Sequence, residues 1–180
     1  AQAGAFSSAT SIPETPMLPV VSRAAEISPR GNYRYQLTRA LPTGAGSCVF
    51  VMLNPATADG LQDDNTIRRC IGFARDWGYR ELRVVNLFAW RATEPKDMLR
   101  QLDPVGPDGD GWILRATADA GLIVAAWGAH GSAVVRRRAD HVRALMLEHG
   151  RAVHHLGLSK AGHPKHPLFL ESSTKTVRWY

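Results

Sequence analysis

Four polar clusters in this chain each follow an apolar run: LNPATADGLQDD at 53–64, NLFAWRATEP at 86–95, WGAHGS at 127–132 and GLSKAGHPKHPLFL at 157–170. Each carries a side chain able to handle a proton, an amide edge or an anion. In the first, Asn54 precedes Pro55. Proline fixes its own φ and drives the residue before it toward extended geometry, so the Asn54 amide is held at the end of its run. There it orients a water or a substrate group, or it caps the turn. Asp59, Asp63 and Asp64 follow closely. They suit a divalent cation or a general base, and Asp63 or Asp64 as the N-cap of a following helix is the simpler use.

In the second cluster Asn86 interrupts an apolar run. A buried amide is costly without partners. A base or amide edge would satisfy it, because Asn offers both a donor and an acceptor, and so would a neighbouring loop. In the last cluster His163-Pro164 and His166-Pro167 place two imidazoles three residues apart. Such a pair faces a developing anion, binds a metal or stiffens a surface loop. For a metal, the only further ligands in view are His130, His154 and His155. Trp90, Arg91 and Lys160 sit in the same clusters, where they would meet phosphates or stack on a base. Arg136, Arg137 and Arg138 form a basic run that on a helix covers most of the circumference. It reads as solvated surface with one stem packed down, and phosphate binding is its other use.

The elements that must position these residues follow from periodicity. Residues 33–41 alternate in polarity and read as an outer strand, and 48–53, 82–88, 122–127 and 152–156 as buried strands. Residues 64–77 have helical spacing closed by Gly78, a short helix is expected at 96–102, another at 111–118, and a long one at 132–149 ended by Gly150. Apolar strands alternating with helices predict a three-layer α/β/α domain with a mainly parallel central sheet. Ligands bind such sheets at the strands' carboxyl ends. Asn54, Asn86, His130, His163 and His166 are therefore expected on one rim.

The chain has 180 residues, 44% hydrophobic and 21% charged, which suits one compact domain and excludes a disordered or collagen-like chain. Residues 1–30, rich in Ala, Ser and Pro and lacking the basic start and apolar centre of a secretory signal, read as a flexible tail, and 31–180 as a single α/β domain. No run approaches the ~20 apolar residues of a membrane span, so no membrane partner is expected. Lys and Arg outnumber Asp and Glu by 22 to 16, a net +6 that permits a polyanionic partner. Cys48 and Cys70, the only cysteines, cannot build a four-cysteine metal site and read as buried thiols of a cytoplasmic protein.

Taken in order, LNPATAD, VVNLFAWRATEP, VAAWGAHGS and GLSKAGHPKHPLFL resemble the bacterial family called domain of unknown function 1643. The same ordered set is similar, more remotely, to the uracil-DNA glycosylase superfamily. Mismatch-type members carry G-x-N-P-G after the first core strand, and many members end with H-P-S-P-L. In that superfamily the first motif positions the attacking water, an Asn at the end of a central strand reads the base, and a late His stabilises the departing base anion. The resemblance thus implies a uracil-DNA glycosylase-like fold, Asn54 for the water, Asn86 for the base, and His163 or His166 for the leaving group. WGAHG is similar to the superfamily's W-G strand end. Ala56 stands in place of the motif's Gly, and Lys165 and His166 alter the spacing of the last motif.

The expected function is hydrolysis of an N-glycosidic bond in a nucleic acid or nucleotide, without a cofactor. Asn54, His163 and His166 are the catalytic candidates, and Pro55, Asn86, Trp90, Arg91, Gly128, His130 and Lys160 the substrate-binding candidates. A non-catalytic module binding a nucleotide or modified base keeps the same pocket. A metal-dependent hydrolase using the aspartates or histidines is the third reading. The oligomeric state is left open.

Overall fold

A computed structural model describes residues 20–180 of the chain. Its elements are β1 (Ser22–Ile27), β2 (Arg34–Ala40), β3 (Ser47–Met52), α1 (Asn65–Asp76), β4 (Glu81–Asn86), α2 (Pro95–Leu99), α3 (Gly109–Thr117), β5 (Leu122–Ala125), α4 (Ala133–Glu148), β6 (Val153–His155) and β7 (Val177–Arg178). The strands form one seven-stranded sheet in the order β1-β2-β4-β3-β5-β6-β7.

The sheet is mixed rather than mainly parallel. β4, β3, β5 and β6 run parallel, while β1 and β2 on one side and β7 on the other pair antiparallel. Parallel neighbours need long crossovers, and α1, the α2–α3 segment and α4 supply them. The flanking strands have no helical crossover, and periodicity does not reveal pairing direction.

The helices cover both faces. Cys48, Phe50 and Met52 of β3, with Leu82 and Val84 of β4, pack against Ile67, Cys70, Phe73 and Ala74 of α1. Val49, Val51, Val85 and Ile123 face the other way, against Met98 of α2, Ile113 of α3 and Val142 and Met146 of α4. All six residues of β3 are buried, which explains why SCVFVM shows no alternation of polarity. The Asp64 side chain caps α1 by accepting from the Ile67 N–H at 2.9 Å. The helix ends where Gly78 takes φ +83°, a conformation that favours glycine.

The expected tail at 1–30 is corrected in its last part. Residues 22–27 form β1, an edge strand held to β2 by backbone pairing. Five of its six side chains are exposed, so SRAAEI carries no apolar period to read. Residues 1–19 lie outside the described residues. Among the described residues no helix is long and apolar enough to cross a membrane.

Candidate functional site

The carboxyl ends of β3, β4 and β5 open on a cavity of about 250 Å³. Asn54, Asn86, Trp127 and His166 line it, together with Arg34 from β2 and Asp64 at the start of α1.

Asn54 follows β3 and ties two loops together. Its Nδ2 donates to the carbonyls of Pro55 at 3.1 Å and Ala92 at 2.8 Å, and the Ala92 N–H returns a bond to Pro55 at 3.0 Å. Both side-chain bonds use the NH2 group, which leaves Oδ1 as an acceptor for another donor. Asn86 is the last residue of β4, in register with Met52, and continues the Leu82–Val84 face toward α1. It is 5% exposed, and neither Oδ1 nor Nδ2 has a hydrogen-bond partner. Leaving such atoms unmet costs roughly 1–3 kcal/mol per group.

His166 caps a 3₁₀ turn at Pro167–Phe169 by accepting from the Leu168 N–H through Nδ1 at 3.2 Å. That bond assigns the proton of the neutral ring to Nε2. Burial pushes the His166 pKa below 6.5 while Asp64 opposes the shift, so the ring is neutral at pH 7 and offers an N–H donor. Gly128 adopts φ +77°, and a Cβ there would lie 3.5 Å from Cβ of His166. The Trp-Gly pair thus turns the chain beside the imidazole.

Arg34 is absent from the sequence-derived candidates. It is 2% exposed; its Nη1 donates to the Ala58 carbonyl, and Nε is buried without a partner. Burial lowers its pKa to about 10, with Asp64 raising it and Arg91 and Arg39 lowering it further, so it remains a cation at neutral pH. Arg39 does leave a sequence signal: it continues the alternation of Tyr35 and Leu37, and all three are buried. Arg34 is out of that phase and is enclosed by the loop carrying Ala58.

The other candidates do not line this cavity. His163 lines a second cavity with Arg136 and Arg143. Pro55, Trp90, Arg91, Gly128, His130 and Lys160 are not among the residues lining the first cavity. Trp90 packs edge-on against Tyr33 with ring centroids 5.3 Å apart. Arg91 donates to the Gly31 carbonyl at 3.3 Å. His130 Nδ1 accepts from the Ser132 N–H at 3.2 Å, next to the cap of α4, and Lys160 is exposed. Of the basic run, Arg138 packs down: it reaches back to the Leu87 carbonyl at 2.7 Å and to Asp110 at 2.6 Å.

The aspartate group has structural work. Asp59 Oδ1 accepts from the N–H groups of Leu61 and Gln62, bonds that hold its carboxyl below the usual range. Asp63 pairs with the fully buried Arg39 at 2.7 Å, and Asp64 caps α1. Among the described residues no group of three or more His, Cys, Asp or Glu side chains is arranged to hold a metal ion.

Chemically, the cavity combines a buried cation, an imidazole N–H, a carboxylate and an amide with free donor and acceptor. It suits a planar ligand with a heteroatom edge and accommodates negative charge developing on that ligand. A family described as a protein of unknown function (DUF1643) matches residues 34–168. No curated protein and no solved structure matches the chain.

Proposed function

The chain belongs to the DUF1643 family, and from that premise we propose that it is a hydrolase of an N-glycosidic bond in a nucleic acid or nucleotide. The observation that carries the reading is Asn86: a buried amide with both atoms unpartnered in a cavity at the sheet's carboxyl end. A nucleobase edge satisfies donor and acceptor together. Every residue that lines this cavity falls within the matched segment 34–168.

In the proposed reaction a water oxygen bonds to the sugar C1′ as the C1′–N bond breaks. The bonding electrons pass to the base, which takes up a proton to leave neutral, while the sugar keeps a hydroxyl. Asn54 Oδ1 accepts a hydrogen bond from the water. The Nε2–H of His166 and the Arg34 guanidinium face the electron-rich base, where fixed donors stabilise charge that grows in the transition state. Asn86 holds the base edge. A base in this cavity is out of its stack, as base-directed enzymes require. We read the three-layer arrangement as uracil-DNA glycosylase-like, and the free, buried Cys48 and Cys70 as fitting a cytoplasmic protein.

A base-release assay tests the proposal. The protein is incubated with single- and double-stranded oligonucleotides carrying uracil, hypoxanthine, mismatched thymine or alkylated bases, and with free nucleotides. Products are followed by alkaline cleavage and mass spectrometry. Release of a base that disappears with Asn54→Ala is expected; release unchanged by that substitution contradicts the assignment of the water. A second reading, a non-catalytic base-binding module, draws on the two bonds that engage the Asn54 NH2 group with loop carbonyls. Binding without turnover, retained in Asn54→Ala, would favour it.

A further inference from the structure

Beside the base cavity lies a second one of about 350 Å³, between α4 and the loop that carries His163. Trp127 lines both cavities. Its ring is 3% exposed and its indole N–H has no acceptor. Three cationic or imidazole side chains, Arg136, Arg143 and His163, line the second cavity, against one carboxylate, Asp140. No ion pair joins Arg136 to Asp140 or to any other carboxylate among the described residues.

The His163 loop and Arg143 are held in place, while Arg136 is exposed. The His163 N–H donates to Ser159 Oγ at 3.1 Å, and its carbonyl accepts from the Ser159 N–H at 2.8 Å, which closes the loop on itself. Arg143 lies over the Trp179 ring at 4.1 Å and donates through Nη2 to the Tyr180 carbonyl, while its Nε is buried without a partner. Trp179 in turn packs on Trp127 with centroids 5.8 Å apart. Unmet donors and an excess of positive groups describe a site for an anion with several acceptor oxygens.

We propose that this second cavity binds the phosphate of a nucleotide unit whose base occupies the first, with Arg136, His163 and the Trp127 indole as its donors. The proposal rests on the base-cavity reading for the identity of the ligand and on the second cavity alone for its anion. It makes the substrate a phosphorylated nucleoside, free or within a strand, in preference to a bare nucleoside. It also assigns His163, which the base cavity does not use.

Calorimetry with matched pairs of nucleosides and their 5′-monophosphates, on the full chain, tests it. The wild type is expected to bind a monophosphate roughly tenfold or more tighter than its nucleoside, about the effect of one charge-assisted contact. Arg136→Ala removes that ratio and leaves nucleoside affinity unchanged; Asp140→Asn enlarges it. No phosphate preference in the wild type, or a preference that survives Arg136→Ala, overturns the proposal. Short oligonucleotides measured alongside show whether the phosphate comes from a free nucleotide or a strand. Inorganic phosphate alone, followed through the ring nitrogens of His163 by NMR, reads the second cavity even if no base binds. Shifts that vanish in Arg136→Ala support the anion site, and the absence of any shift contradicts it.

Discussion

A buried amide that bonds to nothing lowers the stability of the empty protein, and Asn86 contains two such atoms. Replacing it by Leu, of similar length, removes the unmet donor and acceptor. Asn86→Leu is therefore expected to unfold at higher denaturant concentration, by on the order of 1 kcal/mol, while losing base recognition. A stability loss measured by equilibrium unfolding would show that Asn86 is satisfied within the fold. His166 gives a pH prediction with a definite sign. Burial holds its folded pKa below 6.5, so the unfolded chain binds more protons as pH falls. Its contribution to stability is fully present above about pH 6.5 and is lost as pH falls through the folded value. Protonating Nδ1 also breaks the cap on the Leu168 N–H. Unfolding curves from pH 7.5 to 5 should show this loss, and His166→Ala should flatten part of it, the depressed His155 keeping the rest. At this scale the sequence was readable where chemistry follows an apolar run, as at Asn54, Asn86 and His166. Arg34 was not, because nothing in its spacing says that the 54–64 loop encloses it. Nor could spacing separate His166 from His163, since the fold of their loop sends them to different cavities.

The loop between β3 and α1 is fixed by buried charge. Arg39, 0% exposed, pairs with Asp63 and also donates to the carbonyls of Asp59 at 2.5 Å and Thr38 at 3.0 Å. Removing one member of a buried pair strands the other, at about 3–5 kcal/mol. Asp63→Ala should cost that much in chemical denaturation and lower base affinity, because the loop leads into Asp64 and the start of α1. A cost under about 1 kcal/mol would mean that Arg39 is satisfied by carbonyls alone. The helices were legible because their periods are strong, down to an N-cap at Asp63 or Asp64 and the closing Gly78, and the core strands because they are unbroken apolar runs. β1 was not, because an edge strand held by backbone bonds needs no apolar side chains. β7 has two exposed residues and offers no pattern at all.

Across the whole molecule, alternating apolar strands and helical segments disclosed the three layers, and the strands' carboxyl ends open on the cavity that Asn54, Asn86 and His166 line. The antiparallel flanks stayed hidden, since pairing direction is settled by tertiary contacts. The core they enclose protects both thiols: burial pushes the pKa of Cys48 and of Cys70 upward, and neither forms a disulfide. A thiol reagent should therefore label the folded protein only at the rate of unfolding, and rapid labelling of the native state would contradict the packing of β3 against α1. The net charge of +6 should make any binding to nucleic acid weaken as salt rises. The measurement closest to the central claim is free-base release, by mass spectrometry, from wild type and Asn86→Leu over the same oligonucleotide and nucleotide panel. The wild type is expected to release one base class, and Asn86→Leu, folded and no less stable, to release none. Equal release by both proteins, or none from any substrate by the wild type, would contradict it.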